Sequence, residues 1–231
     1  MTINHSPEAK FLAKLFCNLN DHGVNYAVMR NYELLPMSAN GSDLDLLVDP
    51  QQEQLIMKCI LSSIRSADGI VLGRVDTVGL TKIFTLGQPD NEENTWWGLR
   101  LDICKGVVYR GSHNLIDDKV HSEHVKDHNG IKVLSSDLAA ILGVFKEVLH
   151  NGVTSDRYRA HASHAVTHRW HAMSSALSPT GIDALDCLHD ICLSTTNDKS
   201  LNQAVNQIRR KIEFKSLLSS PTSYIAKKII K

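Results

Sequence analysis

The sequence predicts an α+β fold: a small mixed sheet with flanking helices, followed by an all-helical C-terminal domain. Three observations point there. Short apolar-alternating runs, separated by turns rich in Gly, Pro and Asn, fill residues 24–108. Two segments with apolar residues at helical spacing, 7–21 and 50–66, bracket the first two of those runs. Beyond Ser135 the apolar residues recur only at helical spacing. This change of texture places the expected division at 132/133, giving domains 1–132 and 133–231.

In chain order, Phe11, Leu12, Leu15, Phe16 and Leu19 form the apolar stripe of a helix that Gly23 ends. Tyr26–Arg30 reads as a strand, and a polar connection containing Pro36 runs from it to Asn40-Gly41. Ser42–Val48 alternates and is the second strand. Asp49 is the expected N-cap of a helix that opens on Pro50 and runs to about Ser66. Strands follow at Ile70–Leu72, Thr81–Leu86 and Leu99–Cys104. Ser135 or Ser136 caps a helix reaching His150, and further helices are expected at 155–175, 181–193, 199–218 and 222–231.

Composition narrows the function. The chain has 231 residues with 25 Lys+Arg and 25 Asp+Glu, and this neutrality excludes a generally basic nucleic-acid binder. Residues 1–16 lack the apolar core and small-residue cleavage site of a secretory signal, and no apolar run is long enough to span a membrane. The five cysteines are odd in number, irregularly spaced and without a C-x-x-C pair, which predicts free thiols and a cytoplasmic location. The neutrality is a cancellation. Residues 1–198 hold 17 basic and 24 acidic side chains, whereas 199–231 hold eight basic ones and only Glu213. The segment Ser223–Lys231 is apolar on one side and basic on the other, which suits peripheral docking at the inner face of an anionic membrane, or a solvated basic tail.

The most informative segment is Gly41–Val48. Alternation puts Asp43 and Asp45 on one face of the strand and Leu44, Leu46 and Val48 on the other. Neighbouring carboxylates repel unless a cation sits among them. A third one, Asp102, stands in a later alternating strand, Leu99-Arg100-Leu101-Asp102-Ile103. If the two strands are adjacent, Asp43, Asp45 and Asp102 supply the oxygen donors that one or two Mg²⁺ ions take.

With these residues in view, 24–104 resembles the nucleotidyltransferase superfamily. The match rests on the strand Val24–Arg30, an interval of eleven residues after Asn31, the Asp43-Leu44-Asp45 pair preceded by Ser42 and followed by Leu46-Leu47-Val48, and the later Asp102. The chain departs from the family's Gly-Ser turn, carrying Arg30-Asn31 in its place. The wording Met29–Pro36 is similar to a divergent bacterial branch met beside surface-polysaccharide genes. The resemblance implies a catalytic domain at 1–132 that uses two Mg²⁺ ions, or Mn²⁺, to move a nucleoside monophosphate from a nucleoside triphosphate to an acceptor, such as a sugar. It implies that Asp43, Asp45 and Asp102 hold one ion and Asp43 and Asp45 the second, with Asp102 accepting the acceptor's proton.

Arg30 and Asn31 would then meet phosphate in place of the turn, beside Ser42; alternatively Arg30 pairs with a nearby Asp and stiffens the site. Lys146 on the helix after the boundary is a further candidate phosphate ligand, or a solvated lysine. Loss of the turn leaves two other readings, a nucleotide-binding regulatory module and transfer of a different phosphoryl-containing group at the same metals. No Walker A, G-x-S-x-G, H-E-x-x-H or kinase signature occurs. His161, His164, His168 and His171 share one helical face, which suits an interface or acceptor pocket better than a metal site. Trp96 and Trp97 either stack on a base or sugar or enter the core.

Overall fold

A computed structural model describes residues 6–41, 43–77, 79–87, 97–109, 114–117, 120–194 and 199–219. In chain order these form α1 (Pro7–Asp21), β1 (Tyr26–Val28), β2 (Asp43–Val48), α2 (Glu53–Ser66), β3 (Gly69–Thr77), β4 (Leu80–Gly87), β5 (Trp97–Cys104) and α3 (Val120–Glu123). There follow β6 (Val125–His128), β7 (Ile131–Leu134), α4 (Ser136–Asn151), α5 (Asp156–Ala176), α6 (Ile182–Leu193) and α7 (Lys199–Ser219). The fold is mixed α+β. The chain divides into two compact units, 1–106 with 125–134 and 107–124 with 135–231. The expected cut at 132/133 falls inside β7.

The first unit is built on one seven-stranded sheet of order β3-β4-β5-β2-β1-β7-β6. β2 lies parallel to β5, β1 lies parallel to β7, and the remaining pairs are antiparallel. The core forms where the apolar stripes of α1 and α2 meet one face of the sheet. Phe11, Leu12, Leu15 and Leu19 of α1 and Ile56, Ile60 and Ile64 of α2 pack with Leu44, Leu46 and Val48 of β2 and Leu99, Leu101 and Ile103 of β5. Ser6 caps α1 by accepting from the Ala9 N–H at 3.2 Å. Asp49 caps the next segment by accepting from the Gln51 N–H at 2.9 Å. Pro50–Gln52 first makes a 3-10 turn, so the α-helix proper starts three residues later than Pro50 suggests.

Trp97 belongs to this core. Its ring stacks on Phe11 at 4.9 Å between centroids, and the residue is 6% exposed. Gly87 is the reason it fits, since a Cβ there would lie 1.6 Å from the indole nitrogen.

The β6–β7 hairpin was not expected. Asn129 and Gly130 both take left-handed backbone, φ 54° and 80°, as a two-residue hairpin turn with the twist of its strands requires. β7 then extends the sheet beside β1. In the second unit α4–α7 pack consecutively on one another. The apolar stripe of α4 (Leu138, Ile141, Leu142, Phe145, Val148) is fully buried, as are Ile208 and Ile212 of α7. Arg159 is also buried, and it is satisfied by donating to the carbonyls of Thr154 and Ser194, both at 3.1 Å, and to the Asp156 carboxylate.

Candidate functional site

Strand alternation carries Leu44, Leu46 and Val48 into the core and leaves Asp43 and Asp45 on the opposite face of β2. The parallel register then sets Asp45 directly beside Asp102 and Asp43 directly beside Arg100. Thus the three sequence-predicted carboxylates come together on neighbouring strands. Asp45 and Asp102 are 5% and 6% exposed, and at that depth unbalanced like charges would be costly.

Two arginines supply the balance. Arg30, just past β1, donates from Nε to Asp45 Oδ2 and from Nη2 to Asp43 Oδ2 at 3.2 Å. Arg100 donates from Nη2 to the same Asp43 oxygen at 2.9 Å and from Nε to Asp102 Oδ1 at 2.8 Å. The side chains alternate in sign as Asp45, Arg30, Asp43, Arg100, Asp102. Each guanidinium spans two carboxylates, and Asp43 Oδ2 receives both.

The backbone explains why Arg30 reaches. The Met29 N–H donates to the Asp45 carbonyl at 3.0 Å, prolonging the β1–β2 pairing beyond the strand. Asn31 then turns the chain with φ 55°. The following connection is pinned: Leu35 and Ala39 are buried in the core, and Glu8 of α1 accepts from the Ala39 N–H at 2.7 Å and the Ser38 hydroxyl at 3.2 Å. The turn that stands where the resemblance expects Gly-Ser is therefore fixed at both ends.

Of the expected anion ligands, Arg30 is at the carboxylates and takes the ion-pair alternative. Asn31 is exposed immediately beyond it. Lys146 is half-buried on α4 in the second unit. Ser42, Trp96, the turn at 89–94 and the basic segment 222–231 lie outside the described residues. His161, His164, His168 and His171 are all exposed on α5, with the His164 and His168 rings 4.7 Å apart. Sequence reasoning missed Arg100, although its position two residues before Asp102 puts both on one strand face. Lys82 of β4 stands across from Asp102 and has no ion-pair partner among the described residues.

The donor set suits a hard divalent cation, because carboxylate oxygens are what Mg²⁺ takes from protein. As the side chains stand, the arginines hold one oxygen of each carboxylate. Among the described residues no group of three or more His, Cys, Asp or Glu side chains is arranged as an ion cage. A cation entering the cluster meets the two guanidinium charges already there. No helix among the described residues is long and apolar enough to cross a membrane. Comparison of the sequence with protein-family models and with curated proteins gave no match.

Proposed function

We propose that the chain is a divalent-ion-dependent nucleotidyltransferase, moving a nucleoside monophosphate from a nucleoside triphosphate to a hydroxyl or phosphate acceptor. The observation that carries this reading is the pairing of Asp45 with Asp102 on adjacent parallel strands, with Asp43 one pleat away on the same face. Mg²⁺ held by Asp43, Asp45 and Asp102, with Mn²⁺ as a substitute, would polarise the acceptor oxygen and offset the triphosphate's charge. The chain's own residues do the rest. Arg30 and Arg100 are the cations nearest the carboxylates and offer planar forks to phosphate oxygens. Asp102 would accept the proton of the acceptor hydroxyl as the acceptor oxygen bonds to the α-phosphorus and the bond to the departing pyrophosphate breaks. A sugar of surface-polysaccharide synthesis as acceptor, like the cytoplasmic location, rests on the sequence resemblance and composition alone.

A second reading has its own observation. Two arginines already offset most of the charge of the three carboxylates, and such a site suits a nucleotide-binding regulatory module that holds phosphate without transferring it. Calorimetric titration with each of the four ribonucleoside triphosphates in Mg²⁺, followed by a pyrophosphate assay with candidate acceptors, separates the two. Binding with pyrophosphate release supports the transferase. Saturable binding with no release for any acceptor supports the regulatory module, and no binding of any nucleotide contradicts both.

A further inference from the structure

We infer that Arg30 and Arg100 form an exchangeable latch on the carboxylates, so that the divalent ion and a polyphosphate bind cooperatively rather than the ion loading first. The inference rests on the nucleotidyltransferase reading and adds how its site is regulated. Its basis is competition for the same three carboxylates. Arg30 spans Asp45 Oδ2 and Asp43 Oδ2, and Arg100 spans Asp43 Oδ2 and Asp102 Oδ1. A divalent cation held by these carboxylates would enter a cluster whose negative charge and space the two guanidinium groups already take up. Two guanidinium groups carry the charge of one divalent ion, so the exchange leaves the balance of the cluster unchanged.

The latch can open because both arginines are only partly enclosed. Their side chains are 45% and 33% exposed, against 22%, 6% and 9% for Asp43, Asp45 and Asp102. A released guanidinium swings outward and needs a new anion. Phosphate oxygens provide one with matching bidentate geometry. Phosphate therefore draws the arginines from the carboxylates and favours ion entry, and the ion in turn frees the arginines for phosphate. Linkage requires the coupling to be the same in both directions. The site thereby takes divalent ions alone only weakly, and Arg30 replaces the backbone cradle of a Gly-Ser turn with a side chain that reports whether phosphate is present.

The test is Mn²⁺ binding to the full chain without nucleotide, read from the electron paramagnetic resonance signal of free Mn²⁺. Arg30→Gln and Arg100→Gln are each expected to bind Mn²⁺ about tenfold more tightly than the wild type. Lys82→Gln serves as the control for a general field effect. Lys82 carries the same charge across from Asp102 but makes no ion pair among the described residues, so its affinity should stay within about twofold of wild type. Arg30 lies beyond the end of β1, which keeps the test alive if Arg100→Gln does not fold. Equal affinity in wild type and arginine variants overturns the latch and leaves the ion site standing. A gain in Lys82→Gln as large as that in the arginine variants also overturns it. If no variant binds Mn²⁺, or if adding Asp43→Asn to Arg30→Gln leaves the affinity unchanged, the latch and the nucleotidyltransferase reading both fall.

Discussion

Arg100 shows how charge at a single position changes the meaning of a motif. Three aspartates on two strands read as a metal site until the cations between them are seen, and those cations share the oxygens. The aspartates were legible because each takes the polar phase of an apolar alternation. Arg100 takes the same phase, but it gains its meaning only from the β2–β5 register, which pairs it with Asp43, 57 residues away. That distance is closed by packing, not by local pattern. A titratable residue in the second unit makes a different prediction. His124 is buried, and burial, opposed by the nearby Glu123 charge, pulls its pKa below the usual 6.5. Because the folded state favours the neutral ring, its contribution is complete above the unfolded-state pKa and is lost as pH falls from there through the lower folded-state pKa. His150 shifts in the same direction, through burial first and then Lys146 and Arg209. The thermal midpoint should therefore fall between about pH 7 and about pH 5, and His124→Leu should shrink that fall. An equal fall in the variant assigns the loss to other groups.

Among the elements, α1, β2 and β5 were plain in the sequence because their apolar periods are unbroken. The β6–β7 hairpin was not. Its turn carries the Asn129-Gly130 signal, yet Val125-Lys126-Asp127-His128 offers only one apolar residue to mark a strand, and β6 sits at the sheet edge where one suffices. β7 is short as well, and its place beside β1 depends on pairing across more than a hundred residues. Alternation also failed to decide whether Trp97 faces a ligand or the core. The close approach of Gly87 decides it. Gly87→Ala would drive the indole off Phe11 and is expected to cost about 1–3 kcal/mol. Urea unfolding would show this as a lower midpoint, together with a changed tryptophan emission spectrum. An unchanged midpoint and spectrum would contradict the packing described for Trp97.

For the whole molecule, the texture change near residue 130 is real, but the chain does not divide there once. It leaves the first unit after Gly106, returns at Val125 for the hairpin and leaves again after Leu134. Periodicity reports an element's type and is blind to such a return, which is why a single boundary was expected. The neutral total charge likewise hides an acidic body and a basic C-terminal stretch, and within the body the carboxylate cluster is itself a balance of opposed charges. On the function proposed above, this balance opens to a divalent ion and a nucleotide for group transfer. The decisive measurement is transfer of α-labelled nucleoside monophosphate by the full chain in Mg²⁺, with pyrophosphate counted alongside. Equimolar transfer and pyrophosphate are expected, lowered about a hundredfold or more in Asp45→Asn, since loss of a ligand should cost at least as much as loss of its outer-shell support. Transfer at the wild-type rate in Asp45→Asn would contradict that function.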